Sequence, residues 1–373
     1  MKKRLLIFHP ALAPYLVDQF NSLSQLYDLE VVFVFDNVWN HKFDQSKLIS
    51  QLQFKVSYLL KGPRIMGRVF RFGILKTIKR INPDVILGYE YSFITQYLIL
   101  LKRFGFINQK VGSLIDDSID ICNHVQSKIR YIARKQTVNQ LDYLVLLTDE
   151  VSKYYQDTFN IKSQQIIVSP MLQNPERLRN NQVELERIGQ EYIWKFNLRG
   201  KKVLLFVGRF IPEKSLVEFI NTTQDILFNQ KDFVLVLVGD GEERSKIEIL
   251  VKEKKLDEKV LLPGRYEGAD LYAWYLCASG FVLPSLYEPF GAVVNEALIF
   301  GLNVLCSQYA GASYLIQPDK GLIFDPLNKN MAIEKLNDFL KMIDVVEKID
   351  INSKPSLMPN YQSDFIKEWR KIQ

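Results

Sequence analysis

The sequence predicts an α/β protein built from two Rossmann-like, doubly wound domains facing a central cleft. Three observations point there. At 373 residues the chain is too long for one ordinary domain and fits two. Short apolar runs alternate with longer amphipathic stretches, and the alternation stops and restarts near the middle; this pattern gives a parallel sheet covered by helices on both faces. The punctuating glycines of the second half fall where its strands end, which is where such sheets bind ligands. The 47% of hydrophobic residues supply two cores, and no apolar run approaches the ~20 residues of a membrane span.

The first domain is expected to cover residues 1–172. Its strands read as 4–8, 29–35, 85–88, 110–115, 143–147 and 166–168, and its helices as 15–27, 68–81, 93–104, 128–140 and 150–159. Residues 5–8 follow a basic head but run into His9-Pro10 and Pro14, so they read as a first buried strand and not a leader peptide. Pro83 stands at a helix-to-strand junction, as a breaker should. Residues 173–200 are polar, contain Pro175 and lack a strand pattern; they form the expected interdomain linker, with a bridging helix over 183–196. The second domain, 201–345, repeats the alternation with strands 202–207, 234–238, 259–262, 280–283, 303–306 and 321–324 and helices 215–228, 242–255 and 268–278. The tail, 346–373, carries a last helix over 364–370.

Charge is unevenly spread. Residues 1–180 hold 24 Lys/Arg against 15 Asp/Glu, and the remainder 24 against 27. The excess gathers in residues 61–80, KGPRIMGRVFRFGILKTIKR, with seven basic residues, no acid, and Ile65, Val69, Phe70, Phe72 and Ile74 interleaved. Such a segment can lie on an anionic membrane surface or track nucleic acid. A helix with a solvated basic face is the alternative. The membrane surface is the expected partner, and nucleic acid is not. Cys122, Cys277 and Cys306 are scattered without metal-ligand spacing and read as free thiols of a reducing cytosol.

The chemistry concentrates in residues 284–301, PSLYEPFGAVVNEALIFG. Pro289 and Gly291 break regular structure, and from Ala292 the residues suit a helix. The first free N–H groups of that helix fall near Phe290, Gly291, Ala292 and Val293, and a helix start suits an anion, phosphate above all. Glu288 and Glu296 flank the turn with seven residues between them. Carboxylates accept hydrogen bonds and do not donate, so they suit a ligand that presents hydroxyls beside its phosphate. A phosphate joined to a polyhydroxylated group is a sugar nucleotide. At the first strand end of the second domain, Gly208 lets backbone approach a ligand, Arg209 offers a planar fork, and Lys214 a mobile point charge. Two such cations would stabilise a departing diphosphate.

The pattern PS-x-x-EPFG-x-x-x-x-EAL-x-x-G resembles the donor-site signature of retaining GT-B glycosyltransferases of the GT4 type, the glycosyltransferase group 1 family. VGR-x-x-x-x-K at 207–214 matches the same family. The resemblance is specific over about 202–326 and architectural over 1–170. It implies a C-terminal helix that returns to the first domain. It also implies transfer of a sugar, with retention, from a nucleotide-diphosphate sugar to a glycan or lipid-linked acceptor in cell-surface polysaccharide synthesis, with no cofactor. The Asp116-Asp117 pair invites a metal, but no Asp-x-Asp lies beside a nucleotide-binding strand and Arg209 with Lys214 offers charge neutralisation, so no metal is expected. Glu296 would then accept the ribose hydroxyls and Glu288, beside Pro289, those of the donor sugar. The backbone of Phe290, Gly291, Ala292 and Val293 would hold sugar hydroxyls and diphosphate, and Gly264 with Arg265 would lie near the base.

The chain departs from the family at Ala310-Gly311, where Gly-Gly is common, and at Ser313-Tyr314, near which a Glu is common; this leaves the donor sugar open. HPALAPY, 9–15, also lacks the family's glycine-rich loop. On the acceptor side Asp116 or Asp117 stands in for the family's usual histidine, with an Asp pair capping the next helix as the alternative. His9 and Tyr15 are further acceptor-side candidates, and His9 as a plain turn residue fits equally. The expected location is cytoplasmic, peripheral on the inner face of the cell membrane. An epimerase or phosphorylase finds few acid–base groups and no pyridoxal marker here. The alternative of another class is a non-catalytic sugar-nucleotide-binding or membrane-scaffold protein of the same fold.

Overall fold

Strands form where the sequence places its apolar runs, and they pair in parallel throughout both large sheets. The structure, a computed structural model, describes residues 1–38, 43–65, 68–124, 127–171, 173–360 and 362–372. The chain divides into two units, Met1–Gln173 with Asn360–Gln373, and Asn174–Pro359.

In the first unit the strands are β1 (Arg4–His9), β2 (Asp28–Phe33), β3 (Val56–Tyr58), β4 (Arg64–Ile65), β5 (Arg68–Val69), β6 (Val85–Tyr89), β7 (Lys110–Ile115), β8 (Tyr143–Leu146) and β9 (Ile166–Val168). The main sheet runs β3-β2-β1-β6-β7-β8-β9, and β4 and β5 make a separate antiparallel pair. Alternate residues of β1 feed opposite layers: Leu6 and Phe8 join a core with Ile78, Leu98 and Tyr155, while Leu5 and Ile7 join one with Phe20 and Trp369. Four helices on this scaffold open on hydroxyl caps written into the sequence. Ser92, Ser118, Ser127 and Thr148 each accept a backbone N–H three residues on.

The expected helix over 68–81 is shorter, Ile74–Ile81. Gly73 takes φ 94 immediately before it, and the preceding residues pair as β4 and β5. Residues 66 and 67 of the basic stretch lie outside the described residues. Gln362–Trp369 forms the tail helix, and it packs in the first unit. Trp369 is fully buried there; its indole N–H donates to Ser169 Oγ at 3.0 Å, and its carbonyl accepts from the Tyr27 hydroxyl.

The second unit contains β10 (Lys202–Val207), β11 (Phe233–Val238), β12 (Val260–Gly264), β13 (Gly280–Leu283), β14 (Asn303–Ser307) and β15 (Gly321–Phe324), in the order β12-β11-β10-β13-β14-β15. Every residue of β11 is buried, as a central parallel strand requires. The order reverses between β10 and β13, the place where open sheets of this kind offer a ligand crevice. Residues 174–200, expected as a linker with a bridging helix over 183–196, carry that helix at Gln182–Lys195 and a short one at Pro175–Arg179, and both belong to this unit. The reason is aromatic packing: Tyr192 stacks on Trp274 with ring centroids 4.6 Å apart. Likewise residues 346–359 stay with the second unit, and only 360–373 belong to the first.

Trp369→Ala is expected to destabilise the first unit by about 3–5 kcal/mol, read by urea unfolding followed by circular dichroism, because a filled core site becomes a cavity.

Candidate active site

Backbone hydrogen bonds lace together the strand ends of the second unit. The N–H of Gly208 donates to the Val238 carbonyl at 3.0 Å, and that of Gly239 to the Gly264 carbonyl at 2.9 Å. Arg209 follows β10, half-buried and, among the described residues, without a side-chain partner. The chain then turns tightly at Pro212–Lys214 and enters a helix, Leu216–Asn229. Lys214 is not a free point charge. Its ammonium pairs with the Glu288 carboxylate, and each side chain is only 14% exposed. Leu286 N–H donates to the Glu213 carbonyl at 2.8 Å, so backbone joins the same two segments. Groups 74 residues apart in sequence thus form one device.

The loop is braced from its other side as well. Glu288 forms a bridge with Ala310, Gly311 N–H donates to the Glu288 carbonyl at 3.0 Å, and Ala312 N–H to that of Phe290 at 2.6 Å. A Cβ at Gly311 would stand 2.0 Å from the Pro289 oxygen, so this half of the family's Gly-Gly cannot change. Gly291 takes φ 99, the left-handed region, and opens the helix Ala292–Ile299. No side chain caps this helix start, so its first N–H groups, at Ala292 and Val293, and the positive end of its dipole are available to an anion. The Phe290 ring is buried against Tyr314, which leaves only its backbone for a ligand. Glu296, one turn into the helix, is 7% exposed, and its Oε2 accepts from the Tyr275 hydroxyl at 2.7 Å. Burial, and then the Glu296 charge, hold the Tyr275 phenol well above its ordinary pKa, so it stays the donor. Arg265 pairs with Glu267 beside Gly264.

In the first unit, His9, Tyr15 and Asp116 line one cavity together with Gln19, Ser169 and Met171. Nδ1 of His9 lies 3.2 Å from the Ala11 carbonyl, which can only accept, so Nδ1 carries the proton. Burial pushes this imidazole down to about 4, and it is neutral at pH 7. Asp117 does not stand at the cavity. It is buried, and its Oδ2 takes both the Arg134 guanidinium at 2.9 Å and the Tyr155 hydroxyl at 2.7 Å. That engagement ties helices together and removes it from an acceptor's reach. Nor does either aspartate cap the next helix: Ser118 does.

Sequence reasoning missed Glu90. It follows β6 directly and takes φ 47, uncommon for a residue other than glycine. Its N–H donates to the Leu114 carbonyl at 2.6 Å, and its Oε1 accepts from Asp116 N–H at 2.7 Å. Burial, and then the Asp116 charge, push its carboxyl up to about 8. Asp116 keeps contact with solvent, yet desolvation and then the Asp117 charge raise it to about 6. The available signal was position, an acid directly past a strand's C-terminal end.

Residues 190–354, inside the second unit, match the family model described as glycosyl transferases group 1. The chain is similar to the uncharacterized glycosyltransferase YqgM of Bacillus subtilis, 30% identical over 260 residues, or 69% of this chain and 68% of YqgM. It is 25% identical to the 2-deoxystreptamine N-acetyl-D-glucosaminyltransferase of Niallia circulans over 168 residues, 45% of this chain but only 43% of that relative's length. Among solved structures, Anabaena Alr3699/HepE in complex with UDP-glucose superposes with a TM-score of 0.69 over 99% of this chain and 98% of that one, at 14% identity. That likeness is one of fold, the two Rossmann-like halves of GT-B enzymes. With a relative matched at this identity across two thirds of its length, and the family's own model on the second unit, the chain belongs to the group 1 glycosyltransferases.

Proposed function

We propose that the chain moves a sugar, with retention, from a nucleotide-diphosphate sugar to a glycan or lipid-linked acceptor in cell-surface polysaccharide synthesis, and that it needs no metal and no cofactor. The second unit holds the donor. Arg209, Lys214 and the uncapped helix start at Ala292 and Val293 take the diphosphate, whose charge grows as its bond to the anomeric carbon breaks. Glu296 accepts the ribose hydroxyls and Glu288 those of the sugar. Gly264 and Arg265 border the base, and Gly208 lets backbone approach the donor. The observation that carries this reading is the Lys214–Glu288 pair, set in a loop braced from both sides and leading into an uncapped helix. Cation, acceptor and anion site are thereby held together by two joined segments.

The first unit holds the acceptor, whose hydroxyl oxygen forms the new bond to the anomeric carbon. Asp116, with His9 and Tyr15 around the same cavity, is the group proposed to receive the hydroxyl's proton. The basic stretch 61–80 is proposed to face an anionic membrane. Two of its arginines are committed elsewhere, since Arg71 donates to the Val34 and Leu60 carbonyls and Arg80 pairs with Glu30. Among its described side chains, Lys61, Lys76 and Lys79 remain for that surface. No helix among the described residues is long and apolar enough to cross a membrane.

Incubating the full chain with labelled nucleotide sugars in EDTA is expected to release nucleoside diphosphate with one of them. Binding or turnover of none, with or without added divalent metal, contradicts the reading. A second expectation concerns Glu90. Its folded carboxyl titrates near 8 and its unfolded one near 4.5, so the folded state keeps a proton that the unfolded state has lost. The stability it lends is full below the lower value and disappears as pH rises through about 8. Melting temperature should therefore fall less steeply over this window in Glu90→Gln than in the natural protein, and parallel curves would contradict the assignment.

A further inference from the structure

Four helices pack on one face of the first unit's sheet, and three of them, Ile74–Ile81, Phe93–Arg103 and Lys128–Val138, are basic, beside the acidic Asp149–Phe159. The three basic helices contribute Ile78, Leu98 and Val138 to a core shared with Val151 and Phe159 of the fourth, and Gln96 of the second donates to Thr137 Oγ1 of the third at 3.1 Å. None of the three contains an aspartate or glutamate. Their sequences, ILKTIKRI, FITQYLILLKR and KIRYIARKQTV, hold nine lysines and arginines. Arg80, Lys102 and Arg134 are taken by Glu30, Asp142 and Asp117. Lys76, Lys79, Arg103, Lys128 and Arg130 have no partner among the described residues and are exposed. Besides those three partners, the adjoining helices carry Asp120, and Asp149, Glu150 and Asp157.

Exposed apolar groups stand on the third helix and in the turn after the second. Ile129 is 81% exposed and Ile132 52%, one turn apart and flanked by Lys128, Arg130 and Lys135. Phe104, just past the second helix, is 69% exposed, and Phe106 is also uncovered. Large apolar side chains this bare, set among cations with no interleaved acid, are what an interfacial helix presents to lipid. The cations meet anionic headgroups while the apolar tips enter the acyl boundary. Nucleic acid would be met by the charges but not by isoleucines.

Deepening the reading of a membrane-bound, lipid-linked acceptor, we infer that this three-helix face, and Lys128–Val138 in particular, docks the chain on an anionic lipid surface with Ile129 and Ile132 inserted. Of the stretch 61–80, the first helix contributes Lys76 and Lys79 to this face.

The test is co-sedimentation of the full chain with phosphatidylcholine vesicles and with vesicles that also contain phosphatidylglycerol. The natural protein is expected to pellet with the second kind only, less so in raised salt. Lys128→Glu/Arg130→Glu and Ile129→Asp/Ile132→Asp should each lower the partition coefficient at least about tenfold. Every changed residue is exposed, so melting temperature should not move. Donor turnover by both variants should stay at the natural level, which keeps this result separate from the transferase reading. Equal pelleting with neutral vesicles, no pelleting at all, or variants that bind like the natural protein would overturn the inference. So would light scattering in which Ile129→Asp/Ile132→Asp converts a dimer to a monomer, since the face would then meet a second copy of the chain.

Discussion

A lysine and a glutamate with little access to water hold the second unit's loops in place. Two desolvated charges attract strongly, but each is costly if its partner leaves, so Lys214 and Glu288 constrain one another. The pair fastens the turn after β10 to the loop that precedes the helix Ala292–Ile299, and the Leu286–Glu213 backbone bond doubles the fastening. A sugar nucleotide brings its own anion and its own hydroxyls. Its phosphate can share Lys214 and its hydroxyl can share Glu288, so each charge keeps a partner and neither is stranded. The site is thus held by the same groups that would hold the donor, which is preorganisation of the kind electrostatic catalysis requires.

Around that pair the geometry leaves little room for variation. Gly311 lets the strand-end segment after β14 press against Pro289, and Gly291 supplies the left-handed turn into the helix. Glu296 is pinned by a buried phenol, itself stacked on Phe300 with ring centroids 5.6 Å apart. The carboxylate therefore stands in one orientation before any ligand arrives. In the first unit the polar groups behave differently. Asp117 is consumed by Arg134 and Tyr155, whereas Glu90 is held from ionising by burial and by the charge of Asp116, which itself stays exposed.

Much of this was legible in the chain itself. The apolar runs located most strands because buried parallel strands need no alternation, and the loop 284–301 carried its glycines and acids in readable order. The Lys214–Glu288 pairing was not legible, since nothing local links residues 74 apart. Glu90 escaped because its left-handed backbone is imposed by the strand ends around it and leaves no mark on the sequence GYEYS. The helix over 68–81 was read too long because its basic residues suit a helix, although Gly73 marked the true start. The stretch 174–200 looked like a linker because its polar residues outnumber the few, such as Tyr192 and Ile193, that it buries.

The central claim is that cations and a helix tip grip the diphosphate while two acids hold the hydroxyls. Calorimetric titration of a nucleotide-diphosphate sugar into Arg209→Ala/Glu296→Ala tests it most directly, with the melting temperature recorded because Tyr275 loses its acceptor. The account predicts an affinity at least about 100-fold weaker than that of the natural protein, the loss of two charge-assisted contacts. An unchanged affinity in a folded double variant would contradict it.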